Sequence, residues 1–209
     1  TDVRNVQMKV ESYVLSRCMV NSSTGLLAVD EQLKLLKQTG YMHNHARMWV
    51  AGFVCNFANF YWLENAKWMY YHLLDGDLAS NMLSWQWVAG TFSNKKYLFN
   101  QNNLNKYSKV HQADTFIDKN YKNLFNDNFP EYIFDTAELE LQTKYPDSDL
   151  LDSDLSKNIL LYHPWMLDPR WMENSTNSRV LLVEPRIFDR FPVSSMRMDF
   201  IMKLSQNIS

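Results

Sequence analysis

Proline punctuates only the second part of this chain. None of the six prolines precedes Pro130, and none of the five glycines follows Gly90. A proline-free stretch keeps every backbone N–H available for an i→i−4 ladder, so its apolar periodicity is expected to resolve as packed helices. The spacing predicts helices near 5–18, 29–39, 44–62, 65–74 and 77–89. Val29, Leu33 and Leu36 share one face of the second, and Gly40 suits its C-terminal cap. Asn65 reads as an N-cap of the fourth, which Gly76 ends. The Asn- and Lys-rich segment Ser93 to Tyr107 reads as a polar loop. The fold class is therefore mainly α.

The later residues follow different rules. Tyr145-Pro146-Asp147 and the acids from Asp149 to Asp154 read as a surface linker or an acidic helix start. Val180-Leu181-Leu182-Val183 suits a short buried strand. Ser194 or Ser195 then caps a helix with Phe200, Ile201 and Leu204 facing inward. A strand followed by a helix looks like a short α/β unit. The organisation expected is a helical domain over 1–125 and an acidic, proline-containing extension over 126–209.

With 209 residues, 46% of them hydrophobic, the chain can bury a substantial core. The uncharged run Met48 to Leu63 is shorter than the ~20 residues a membrane span needs. It also carries Asn56 and Asn59, so it reads as a buried helix, with no membrane partner. No basic apolar leader opens the sequence, and Cys18 and Cys55 form no framework, so a reducing cytoplasm is the expected setting. The sequence begins at Thr1, as a fragment or a processed form does. Charge is uneven: residues 1–110 hold 11 Lys/Arg against 7 Asp/Glu, and residues 111–209 hold 10 against 16. The first part can offer a face to a polyanion, although two solvated surfaces of different composition explain the numbers equally well.

Two segments concentrate the chemistry. Arg47 lies within an apolar helix, and a buried guanidinium needs an anion, because an unpaired one costs several kcal/mol. Asp75 and Asp77 are the nearest strong partners in the pattern. Either they form an ion pair that locks two helix ends, or an acid accepts a ring N–H while the arginine balances charge. Asn81 follows Asp77 by one helical turn and can face the same ligand. Asn44, just before Arg47, can point an amide there or act as a cap. Trp85 and Trp87 face different directions on their helix, and Trp62 and Trp68 complete an aromatic group. His43 and His45 match no zinc spacing, and no dinucleotide fingerprint, P-loop or nucleophile elbow is present.

Thr39 to Val50 (TGYMHNHARMWV) and Leu74 to Gly90 (LDGDLASNMLSWQWVAG) resemble the FAD-binding helical domain of the photolyase/cryptochrome family, from about Gly25 to Tyr107. The resemblance implies FAD as cofactor and assigns each residue a part. Arg47 and Asp75 become the ion pair beside the flavin ring, and Asp77 the acceptor for its N3–H. Asn81 faces flavin N5. Trp85 and Trp62 become the first two members of an electron chain, with Trp49, Trp68 or a tyrosine to replace a third that has no obvious counterpart. Asn44, His45, Met48 and Trp87 fall where pyrimidine-dimer DNA is contacted, and Asn44 favours the cyclobutane-dimer type.

The chain also departs from the family pattern. His45 replaces an arginine, and Tyr97-Leu98-Phe99-Asn100-Gln101 lacks the arginine and proline usual in that stretch. The Thr/Ser-rich loop that cradles the FAD pyrophosphate and the N-terminal antenna domain have no counterpart; a fragment would carry both upstream of Thr1, and a complete chain would bind FAD weakly or with a partner chain. The reading is a deoxyribodipyrimidine photolyase acting by light-driven electron transfer. Its alternatives are a cryptochrome-like flavoprotein without repair and a cofactor-free helical interaction domain.

Overall fold

A computed structural model describes residues 6–7, 9–91, 96–124, 129–147, 158–168, 170 and 178–206. The chain is mainly helical, with two small two-stranded sheets among the described residues. It divides into two compact units, Thr1–Glu140 and Leu141–Ser209. The domain boundary expected at 125/126 falls within 125–128, outside the described residues.

The first unit holds α1 (Arg17–Asn21), α2 (Leu27–Thr39), α3 (Asn44–Gly52), α4 (Trp62–His72), α5 (Leu78–Val88) and α6 (Gln101–Tyr107). In α2, Val29, Leu33 and Leu36 are fully buried, as their spacing predicts. Gly40 stops the helix at φ +69°, with its N–H bonded to the Leu36 carbonyl. A Cβ there would run into the Leu74 side chain, so glycine is required both for the dihedral and for the close approach.

The expected continuous helix over 44–62 is interrupted. After Gly52 the backbone widens into a π-helix, Phe53–Phe57, and Asn59 takes φ +56°. The buried Asn56 amide donates to the Val88 and Tyr97 carbonyls at 3.0 and 2.8 Å, bonds that a surface position on a regular helix would not make. Helix α4 then starts at Trp62, earlier than expected, so Asn65 is not its cap. Asn65 is fully buried; its Oδ1 accepts the Ser16 N–H at 3.0 Å and its Nδ2 donates to the Val14 and Tyr61 carbonyls.

The helix expected over 5–18 is also corrected. Among the described residues only α1 at its end is helical, and Lys9 has φ +58°. The backbone groups of this segment are committed to distant partners. Glu11 N–H donates to Asn59, Tyr61 N–H to Ser12, and Arg17 N–H to Asp135. Strand β1 (Leu15–Ser16) pairs antiparallel with β2 (Thr136–Ala137). Tertiary hydrogen bonds thus outcompete the local ladder. The polar segment Ser93 to Tyr107 is likewise only partly a loop. Asn100 caps α6 through the Asn103 N–H at 3.0 Å, and buried Leu104 anchors it.

In the second unit, β3 (Ile159–Tyr162) and β4 (Ser178–Leu181) pair in parallel. The expected strand is shifted toward the N-terminus and is half-buried, with Leu182 exposed. Helix α7 (Pro185–Arg190) follows, then α8 (Ser195–Gln206), where the Ser194 hydroxyl accepts the Arg197 N–H. Ile201 faces inward, but Phe200 is exposed, because adjacent helix positions point about 100° apart. The acidic run Asp149 to Asp154 lies outside the described residues.

Candidate functional site

Two helix starts converge because two turns are tied together. The Leu74 N–H donates to the Gly40 carbonyl at 2.9 Å, joining the α2–α3 turn to the α4–α5 turn. Arg47 then reaches Asp75 across them. One guanidinium nitrogen, Nη2, bonds both carboxylate oxygens at 2.9 and 2.8 Å, while Nε donates to the Met42 carbonyl at 2.8 Å. The arginine is half-buried rather than buried, and Asp75 is exposed. Such a partly solvated pair contributes only about 0–1 kcal/mol to stability, so a lock between helix ends is a weak account of it.

The pair borders a cavity of about 510 Å³. That size has room for a flat polycyclic ring within the range usual for cofactor sites. Among the wall residues are Asn44, Arg47 and Met48 from α3, Asp75 and Asp77 before α5, and Asn81, Trp85 and Trp87 on α5. Asp77 caps α5 by accepting the Ser80 N–H at 2.7 Å. Asn81 is buried and donates its amide to the Ala66 carbonyl at 2.9 Å, which fixes its orientation from α4. Trp85 is buried, whereas Trp87 and Asn44 are exposed. The Trp87 ring packs 6.1 Å from Tyr97, whose phenol is pushed up to about 12 chiefly by burial and so stays neutral at ordinary pH. The cavity therefore offers an acidic and guanidinium edge beside an apolar, aromatic wall, a donor set that suits a planar ring with a polar rim.

Two predicted residues lie elsewhere. Trp62 is buried on α4, outside that wall, with its indole N–H lacking an acceptor among the described residues. His45 lines a separate cavity of about 340 Å³ with His43, Trp49 and Tyr107, stacked at 5.3 Å on Trp49 and 4.8 Å from Tyr107. Conversely, Met69, Ser80, Leu83, Ser84 and Val88 belong to the first wall but were not singled out from sequence. A signal for Ser80, Ser84 and Val88 existed. Asp77, Ser80, Asn81, Ser84, Trp85 and Val88 follow one helical stripe, and the serines leave space there.

The model for the FAD-binding domain of DNA photolyase matches residues 4–160. The chain belongs to the photolyase FAD-binding-domain family. FAD is the cofactor of this photolyase-family domain, and the cavity's donor set fits its ring. A deoxyribodipyrimidine photo-lyase of Streptomyces griseus is 46% identical over 68 residues, covering 32% of this chain and 15% of that protein. The Synechococcus photo-lyase is 34% identical over 96 residues, 46% of this chain and 20% of its own length. The mitochondrial photo-lyase of Saccharomyces cerevisiae is 27% identical over 120 residues, 54% of this chain and 21% of its own length. The chain thus spans about a seventh to a quarter of the length of the curated relatives it matches. No solved structure matches significantly. No helix among the described residues is long and apolar enough to cross a membrane.

Proposed function

We propose that this FAD-binding domain performs light-driven repair of cyclobutane pyrimidine dimers in DNA. The observation that carries the reading is the single cavity lined by Asn44, Arg47, Met48, Asp75, Asp77, Asn81, Trp85 and Trp87. FAD held by these residues would supply the one-electron chemistry that splits the dimer. Everything else falls to the protein. Asp77 accepts a ring N–H and holds the ring's rim, and Arg47, steadied by Asp75, balances negative charge on it. Asn81, oriented from Ala66, presents its amide to the ring. Buried Trp85 excludes water from one wall and donates the electron that restores the reduced cofactor.

The exposed mouth suits DNA. Asn44 supplies a polar contact, and Met48 with Trp87 makes an apolar lip where flipped bases can stack. Flipping is cheapest at a dimer, whose pairing is already weakened. The relatives above are deoxyribodipyrimidine photo-lyases, which supports this substrate class.

Adding FAD to the purified chain should produce flavin absorption. Illuminating the photoreduced protein with dimer-containing DNA should restore the bases. Retained FAD without repair in light would replace this reading with a cryptochrome-like role. A protein that ignores added FAD would leave the helical interaction domain.

A further inference from the structure

The electron chain in this reading needs an exit to solvent. Trp62 and Trp85 are buried on α4 and α5, helices that pack against each other. The sequence leaves Trp49, Trp68 or a tyrosine to continue from Trp62. Ring contacts discriminate among them. Trp49 packs on His45 and Trp68 on His72, whereas the ring meeting Trp62 among the described residues is Tyr61, at 5.8 Å between centroids. Tyr61 in turn lies 5.2 Å from Tyr13. Exposure rises along the series, from 3% at Trp62 through half-buried Tyr61 to 67% at Tyr13.

Backbone bonds hold this alignment in place. Ser12 and Phe60 form a parallel bridge, and Tyr61 N–H donates to the Ser12 carbonyl at 2.7 Å. Gln7 clasps the same turn, donating to the Phe60 carbonyl at 2.7 Å and accepting the Trp62 N–H at 3.1 Å. The segment that failed to be a helix is therefore the one that lays Tyr13 over Tyr61.

We infer that Trp62, Tyr61 and Tyr13 form the outer part of a redox relay, with Tyr13 as the terminal donor at the surface. The inference rests on the photoreduction reading above. One electron leaves Trp85 for the bound, photoexcited oxidised flavin. Trp62 refills Trp85, Tyr61 refills Trp62, and Tyr13 refills Tyr61. The net proton leaves the Tyr13 hydroxyl for water, because that ring alone of the series is widely solvated. A soluble thiol then returns a hydrogen atom to Tyr13, and two thiyl radicals couple to a disulfide. The competing account is a packing pair that merely secures the bridge. Phenylalanine keeps the ring and removes the hydroxyl, so Tyr13→Phe and Tyr61→Phe separate the two accounts.

The FAD-loaded chain is illuminated with thiol and a spin trap, and trap adducts are mapped by peptide mass spectrometry. The expected result is an adduct at Tyr13. That adduct is lost, and photoreduction is slowed, in Tyr61→Phe, with thermal unfolding unchanged. Tyr13→Phe should slow photoreduction likewise. Unaltered photoreduction in both variants, with adducts elsewhere, overturns the relay. If Trp85→Phe and Trp62→Phe also leave photoreduction unaltered, the tryptophan path fails as well, which is a distinct outcome. A flavin-free measurement stands beside this one. Azide radicals from pulse radiolysis oxidise tryptophans, and the later rise of phenoxyl absorption should lose the same component in Trp62→Phe, Tyr61→Phe and Tyr13→Phe. An identical rise in all three and in wild type overturns the relay without any cofactor.

Discussion

Helix α3 has two flanks with opposite character. Asn44, Arg47 and Met48 border the larger cavity, where α5 answers with Asp77, Asn81 and Trp85. His45, Ala46 and Trp49 border the smaller one, where Tyr107 and Trp49 enclose the His45 ring. These residues alternate within a few positions of sequence, yet the helix turns them to different neighbours. A motif read as one unit is thus two sites. Only one flank carries the ring-binding proposal, and the other is closed mainly by aromatic stacking.

The largest expected effect tests whether the flanks share one support. His72, on α4, packs edge-on to Trp68, and burial, reinforced by Lys37, lowers its pKa from 6.5 to about 4. The unfolded chain therefore binds the extra proton between those values, and stability falls as pH drops from 6.5 through 4. The loss is about 3 kcal/mol. Denaturant unfolding at neutral and acid pH should show it, and His72→Phe should flatten it. If acid releases flavin while near-UV circular dichroism of the Trp49 stack persists, the flanks are independent.

Gly40→Ala comes next. It forces an alanine into φ +69° against Leu74 and should cost about 1–3 kcal/mol. Because the Gly40 carbonyl ties the two turns, flavin affinity should fall with stability; a stable variant with unchanged affinity would break that link. Asp77→Ala removes both the α5 cap and the cavity carboxylate. Helix stability should drop by about 1 kcal/mol, and flavin should bind about tenfold more weakly by titration. Asp77→Asn, which can keep the cap, should separate the two losses.

His45→Ala addresses the other flank. Losing its ring contacts should cost about 0.5–1.5 kcal/mol with flavin affinity unchanged. Weakened flavin binding in that variant would erase the distinction between flanks. The smallest stability effect is expected for Asp75→Asn, under about 1 kcal/mol, because its pair with Arg47 is solvated. A loss of several kcal/mol there would restore the helix-lock account.

Some of this was legible in sequence because the signals are local. Val29, Leu33 and Leu36 define a buried stripe, Gly40 a left-handed cap, and Asp77 a helix start. Asn65 was misread because an asparagine before a helical pattern looks like a cap, while its three hydrogen bonds reach back to residues 14, 16 and 61. Residues 9–16 were misread for the same reason, since their partners lie near Asn59 and Asp135. His45, which the resemblance puts at a DNA contact, lines the other cavity, because a helix turns residues one position apart by about 100°.

By itself the sequence determined that the first part is helical, which residue types gather in two motifs, and which family they belong to. Spacing, caps and the absence of proline act within a few residues, so they can be read along the chain. Tertiary structure alone decided which motif residues share a cavity, that Arg47 is only half-buried, and that Tyr13 rests on Tyr61. Those outcomes depend on hydrogen bonds and packing between segments far apart in sequence. Local pattern carries no information about such partners until the chain has closed upon itself.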